Sequence, residues 1–378
     1  MNLEEIRNQI NSVDDELSAL FLKRMELAGE VAKFKAENNL PILNRSRERD
    51  IISRLSAMYP EDMSLYIKVL YNTLFDLSRS YQGRLTGKSG ETAKQLKTVS
   101  ERTEKVFPST AIVACQGTEG AYSQQICDKL FANPTIMYMN SFRGVFDAVE
   151  QGLCRYGILP VENSIHGSVG EVYDLMDSHK FCIVRSSRLQ INHCLLAKPG
   201  TSVSDIKEIF SHEQAIGQCE KFLSEHKGIK VTVCENTAVA AKMVSESERR
   251  DVAAISSGIC AQLYGLSVIA EDIQDFSNNY TKFICISKKP EIYPGADKIS
   301  VIVRLPHRPG ALYDLMSKFA ALGINLTKIE SRPIRNRDFE FMFYLEMEVS
   351  VYSAELIQLL SELEAEMDFS YLGSYSEV

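Results

Sequence analysis

Residues 6–39 read IRNQINSVDDELSALFLKRMELAGEVAKFKAENN. Ile6, Ile10, Val13, Leu17, Leu20, Leu27, Val31 and Phe34 recur at steps built from fours and threes, the pattern of an amphipathic helix with a coiled-coil-like seam. The Asn38-Asn39 pair ahead of Pro41 ends it. A helix of about 33 residues is about 50 Å long, more than two short partner helices can cover. Its open seam predicts an intertwined dimer. Shorter helices follow over 45–58 and 61–82. Position 24 breaks the pattern, because Arg24 stands where the seam expects an apolar residue. One reading is a snorkelling arginine whose stem packs while its head reaches water. The other is a cation kept for an anion. Lys35 lies eleven residues on, about 20° from the same face and about 16 Å along the axis, so both side chains can converge on one small dianion. Arg7 lies about 25 Å from Arg24 and reaches only a partner's site. Arg47 and Glu48 on the second helix, with Ser78 and Gln82 four residues apart on the third, add donors and one carboxylate. Such a set, without a nucleophile, suits binding and electrostatic stabilisation.

Around this segment the chain is ordinary in bulk. Its 378 residues are 45% hydrophobic and 24% charged, which excludes wholesale disorder and allows two or three domains. The formal net charge of -8 argues against a nucleic-acid partner. No apolar run approaches the roughly 20 residues of a membrane span, and the start has no cationic and apolar leader. Nine cysteines all fall between 115 and 285. Their spacing forms no CxxC pair and no metal site, so they read as reduced, mostly buried thiols of a cytoplasmic protein. Charge also divides the chain. Residues 1–90 carry 13 basic and 13 acidic side chains, 91–296 carry 21 and 24, and 297–378 carry 8 and 13.

Residues 86–105 contain three apolar side chains, Ala93, Leu96 and Val99, and read as a linker, 86–109, behind an all-helical domain at 1–85. From 110 to 290, β-rich runs (AIVAC, TIMYM, YGILPV, HCLLA, VTVC, VAAI and KFICIS) alternate with helical stretches. That order predicts an α/β domain with a largely parallel sheet, long enough for two lobes around a cleft. Residues 297–378 run strand, helix, strand, strand, helix, strand, the α+β ferredoxin-like βαββαβ order.

The set Arg7, Arg24, Lys35, Arg47, Glu48, Ser78 and Gln82 resembles the all-helical chorismate mutase family, an intertwined helical dimer that rearranges chorismate to prephenate. The resemblance implies that Arg24, Arg47 and the partner's Arg7 clamp two carboxylates. It puts Lys35 and Gln82 on the ether oxygen, Glu48 on the ring hydroxyl and Ser78 beside a carboxylate. Asn44 occupies a substrate-binding position where many members carry aspartate. A pericyclic step needs only a compressed conformer and a charge-matched cage.

In the middle domain, GTEGAYS (117–123), ENSIHGS (162–168), SHEQ (211–214) and NNYTKF (278–283) lie in loops between apolar strands. Each alone reads as an ordinary turn or cap. Together, over 111–288, they resemble prephenate dehydratase, a two-lobed fold like a periplasmic binding protein. That family removes the ring hydroxyl and a carboxylate together to give phenylpyruvate, without a cofactor. The resemblance implies Thr281 as donor to the leaving hydroxyl, with Glu162, Asn163, Ser211 and Gln214 as binding residues. Lys282 stands where the family has arginine, keeping the charge without the planar fork.

Gly310-Ala311-Leu312-Tyr313 and Glu330-Ser331-Arg332-Pro333 resemble the two signatures of the ACT domain, which bind phenylalanine as feedback inhibitor between paired domains. The three resemblances cover nearly the whole chain outside the linker and imply one bifunctional enzyme of phenylalanine biosynthesis. A metabolite-sensing regulator without turnover and a dehydratase with an impaired mutase are the competing readings. The double set of site residues argues against the first.

Overall fold

The computed structural model describes residues 2–86, 90–179, 181–334 and 340–378. A capping box opens helix α1 (Leu3–Glu37). Glu5 N donates to Asn2 Oδ1 at 2.8 Å and Asn2 N donates to Glu5 Oε2 at 2.9 Å, satisfying two donors that a helix start leaves bare. Asn44 caps α2 (Arg45–Ser56) by accepting from Arg47 N at 3.0 Å. Helix α3 (Glu61–Thr86) packs against both. Gly29 and Ala32 of α1 are buried, whereas Ile10, Val13, Leu17 and Leu20 are 53–63% exposed. The seam therefore has no cover within the described chain.

Helix α4 (Glu91–Arg102) corrects the expectation of a coreless linker. Ala93, Leu96 and Ser100 share one buried stripe, and Leu96 enters the core of the last domain. Three apolar residues suffice because a ready-made face receives them.

The middle unit continues as β1 (Ile112–Gln116), α5 (Tyr122–Leu130), β2 (Thr135–Met139), α6 (Phe142–Glu150), β3 (Tyr156–Asn163), β4 (Gly167–Ser168), α7 (Gly170–Ser178) and β5 (Cys182–Gln190). The chain then crosses into β6 (Cys194–Ala197), β7 (Glu208–Ser211), α8 (Glu213–Gly217), α9 (Glu220–Glu225), β8 (Lys230–Val233), α10 (Thr237–Glu246), β9 (Val252–Ser256), α11 (Ile259–Tyr264) and β10 (Ser267–Ala270), and returns as β11 (Tyr280–Ser287). One sheet runs β2-β1-β3-β11-β5, with β4 beside β3, and the other β10-β6-β9-β7-β8. Both are mixed, which corrects the largely parallel expectation. β1–β2, β1–β3, β7–β8 and β7–β9 are parallel, but β11 returns between β3 and β5 antiparallel to both. Two lobes result, joined by the crossings after β5 and before β11. All nine cysteines are free thiols and seven are buried.

The last unit is β12 (Lys298–Leu305), α12 (Ala311–Leu322), β13 (Asn325–Pro333), β14 (Phe341–Glu348), α13 (Ala354–Glu366) and β15 (Asp368–Tyr375), with antiparallel sheet order β13-β14-β12-β15. Leu315 and Phe319 of α12 and Leu359 and Leu363 of α13 cover one sheet face. On the other face Ile302, Met342, Tyr344 and Leu372 share a single core with Val172, Tyr173 and Met176 of α7. The tail then runs along β5, where Ser186 N donates to Ser376 O at 3.1 Å and Val378 N to Ser186 O at 2.9 Å. Gly373, at φ 147°, permits this approach, because a Cβ there would fall 2.2 Å from Ile183 O.

Candidate active sites

Seven of the eight residues expected for the first site converge on one cavity of about 350 Å³ among α1, α2 and α3. Arg24 does not snorkel outward. Its Nη1 donates to Ser78 Oγ and to Leu74 O at 3.2 Å, and its guanidinium lies 5.7 Å over the Phe75 ring. Lys35 Nζ donates to Ile42 O. Burial pushes the pKa of both cations down, against the opposing pull of Glu48. An anion entering the cavity therefore relieves an existing electrostatic cost. Arg47 is exposed at its rim, and Asn44 spends its amide oxygen on the α2 cap. Gln82 is buried and its Oε1 has no partner among the described residues. Arg7 is exposed outside the cavity, toward the far end of α1. Arg79, which the seam pattern does not single out, also lines it and pairs with Glu48 at 2.5 Å.

The second site lies where the chain crosses between lobes. The antiparallel register of β3 and β11 sets Asn163 opposite Thr281. Asn163 Oδ1 accepts from Ile165 N and His166 N, both at 3.0 Å, which fixes the orientation of its amide. Its Nδ2 then donates to Thr281 Oγ1 at 2.9 Å and to Asn279 Oδ1 at 2.8 Å. Asn279 Nδ2 donates to Gln218 Oε1 at 2.9 Å, and His193 Nε2 meets the same oxygen at 2.8 Å. Burial pushes the His193 pKa down, outweighing the Gln218 bond, which favours the neutral ring. Its Nδ1 lies 3.3 Å from Tyr122 OH. Thr281 Oγ1 thus accepts a bond and keeps its own proton to give.

The other expected residues divide. Glu162 pairs with Lys328 of β13 at 2.8 Å. Ser211 is fully buried and donates to Ile255 O at 2.7 Å, so its hydroxyl is spent inside the second sheet. Gln214 is exposed on α8. Lys282, one residue past Thr281, points to the opposite face, where its Nζ bonds both oxygens of Glu346 of β14 at 2.6 and 2.7 Å. Burial pushes the Glu346 carboxyl up, but Lys282, Thr327 and Tyr375 more than offset it and leave it below its ordinary value.

Around the signatures of the last unit, Gly310 and Ala311 line a cavity of about 1130 Å³ between α2, α3 and α12, while Leu312 is exposed. Glu330, Ser331 and Arg332 sit on β13 instead. Glu330 accepts from Ser168 Oγ at 2.6 Å, and Arg332 donates to both oxygens of Asp174 at 3.0 and 3.1 Å. His193, Arg79 and Lys328 were not legible as site residues, because each is defined by a partner remote in the chain. The one local hint was His193 directly ahead of the CLLA strand.

Residues 6–83 match the family model of chorismate mutase type II, 113–291 that of prephenate dehydratase and 299–355 that of the ACT domain. The bifunctional chorismate mutase/prephenate dehydratase of Escherichia coli (strain K12) is 30% identical over 381 residues, spanning 98% of this chain and 95% of its own length. Arogenate dehydratase 2 of Petunia hybrida is 38% identical over 281 residues, 70% of this chain and 71% of its own. The prephenate dehydratase of Arthrobacter aurescens, solved in complex with L-Phe, superposes with a TM-score of 0.63 at 29% identity, over 71% of this chain and 90% of that one. With three modules matched in order and a relative matched almost end to end, the chain belongs to the bifunctional chorismate mutase/prephenate dehydratase family.

Proposed function

We propose that the chain carries out two consecutive steps, chorismate to prephenate in the helical pocket and prephenate to phenylpyruvate at Thr281, under feedback by phenylalanine at the ACT unit. The convergence of Arg24, Lys35, Arg47, Glu48, Ser78 and Gln82 on one cavity carries the first assignment. Its volume suits a small ligand. Arg24, braced by Ser78, and Arg47 hold carboxylates, and Arg7 of the partner subunit closes the cage across the exposed α1 seam of a homodimer. Lys35 and Gln82 donate to the ether oxygen as the C–O bond breaks, and Glu48 accepts from the ring hydroxyl. No group gains or loses a proton, so the acceleration comes from positioning and charge.

In the second step the C–C bond to the ring carboxylate breaks, its electron pair enters the ring and the C–O bond to the hydroxyl breaks. The products are carbon dioxide, water and an aromatic ring. The proton of Thr281 is aimed by Asn163 at the departing oxygen, where it offsets the growing charge. Restoring it needs a proton from solvent or substrate, since a threonine hydroxyl is a poor acid. The L-Phe complex of the Arthrobacter relative supports phenylalanine as effector. Nine free thiols support a reducing, cytoplasmic setting.

The test is incubation of the full chain with chorismate, following loss of its absorbance and formation of phenylpyruvate with and without phenylalanine. Both signals should appear, and phenylalanine should suppress the second. Prephenate accumulating without phenylpyruvate would overturn the dehydratase half. L-Arogenate, with an amine where prephenate has a ketone, belongs in the same assay because the Petunia relative is named for it.

A further inference from the structure

Arg79 follows Ser78 on α3, and its side chain is 12% exposed. Nη1 bonds Glu48 at 2.5 Å, Nη2 pairs with Asp76, and Nε lies 3.4 Å from Glu366 of α13 without forming a hydrogen bond. Two carboxylates thus come from the helical unit and the third from the sensing unit. Behind them Lys318 of α12 bonds Glu366 at 2.8 Å and lies 3.6 Å from Glu362, while Ser317 donates to Asp76 at 2.8 Å. Thr73 and Tyr313 bring their hydroxyls to 3.0 Å across the same junction. The cluster sets two cations against four carboxylates, so no acid in it is neutralised independently of the others. Glu48 itself lines both the 350 Å³ cavity and the 1130 Å³ cavity beside the sensor.

We infer that Arg79 is a positioning residue of the mutase site, holding Glu48 toward the substrate hydroxyl in a posture set by Glu366, so that the sensing domain completes the mutase pocket. One Glu48 oxygen is bound by Arg79, which leaves the other for the ligand. A guanidinium serves three carboxylates at once because its fork presents donors on three sides, which an ammonium does not. The contact to Glu366 is the loosest of the three, and it is the one whose carboxylate the ACT unit itself supplies.

This inference rests on the mutase reading, and its test separates the two. Chorismate consumption and prephenate dehydration are measured on the same full-length preparations of the wild type, Arg79→Lys, Arg79→Met, Glu366→Gln and the Arg79→Met/Glu366→Gln pair. Arg79→Met should lower mutase kcat/KM by about tenfold or more, with dehydratase kcat within about twofold of wild type. Arg79→Lys should recover part of the loss. Glu366→Gln, which keeps shape, should lower mutase kcat/KM by roughly two- to fivefold, and the pair should be no worse than Arg79→Met alone, because Glu366 acts through Arg79. Wild-type mutase kinetics in Glu366→Gln, or losses that multiply in the pair, would overturn the inference. A wild-type chain that converts no chorismate would instead defeat the mutase reading itself.

Discussion

In the helical pocket Arg24, Lys35, Arg47 and Arg79 face a cavity in which Glu48 is the one carboxylate. In the cleft of the α/β unit Thr281 is approached through the amides of Asn163, Asn279 and Gln218 and a neutral imidazole, and the flanking Glu162 is already paired with Lys328. The first site stores cationic charge at a desolvation cost, and the second stores hydrogen-bond direction at almost none. That contrast follows the two reactions. A rearrangement without proton transfer is helped by a fixed field, whereas an elimination driven by aromatisation needs one donor held at one oxygen.

Substitutions can break this contrast. Thr281→Ala should produce the largest effect, a loss of about 10²–10⁴ in dehydratase kcat with mutase turnover unchanged, read by phenylpyruvate formation from prephenate. Full dehydratase turnover in that variant would end the assignment. Lys35→Ala should cost mutase about 10²–10³ in kcat, as expected for a lost donor to developing negative charge, and leave the dehydratase alone. Asn163→Ala removes the bond that aims Thr281 rather than the donor. It should cost the dehydratase about tenfold in kcat, an amount matching one good hydrogen bond. Asn44→Asp should be the mildest, since both residues cap a helix equally well. Mutase kinetics within about threefold of wild type are expected, and a larger gain would mark Asn44 as a ligand contact beyond its cap.

The junction between the dehydratase and the sensor offers a test by pH. The folded-state pKa of Glu346 lies below the ordinary glutamate value, so the stabilisation from its pair with Lys282 is complete above that ordinary value and is lost as pH falls through the lower, folded one. Acid titration followed by tyrosine fluorescence should therefore show the junction of the wild type loosening only below the ordinary glutamate range. Glu346→Gln should remove that acid-dependent component while lowering stability at neutral pH, because it leaves the buried Lys282 with only the looser Glu377 carboxylate, 3.7 Å away, as a charge partner.

Long-range order was legible wherever one face carried the pattern. The α1 seam, its Arg24 interruption and the βαββαβ order follow from side-chain period alone. β5 escaped because CIVRSSRLQ (182–190) mixes apolar residues with buried Ser186 and Ser187, whose place in the sheet depends on β11 and the tail rather than on their own polarity. Helix α4 escaped because its partner face lies some 260 residues away. Within the sites, residue types and order located the mutase set, since helical spacing converts directly into geometry. The dehydratase set was only half legible. Thr281 and Asn163 meet through strand register, His193 and Asn279 arrive from the lobe crossings, Gln218 comes from the end of α8, and Ser211 belongs to the sheet instead.

The core shared by Ile302, Met342, Tyr344 and Leu372 with Val172, Tyr173 and Met176 makes the sensor and the first lobe one cooperative folding unit. Heating should melt them in a single calorimetric event, and amides in β14 and α7 should exchange with matched protection. For anyone transplanting the sensor onto another enzyme, the severable boundary therefore does not coincide with the end of the dehydratase segment. A graft that leaves α7 behind would expose the underside of the sensor's sheet and invite aggregation.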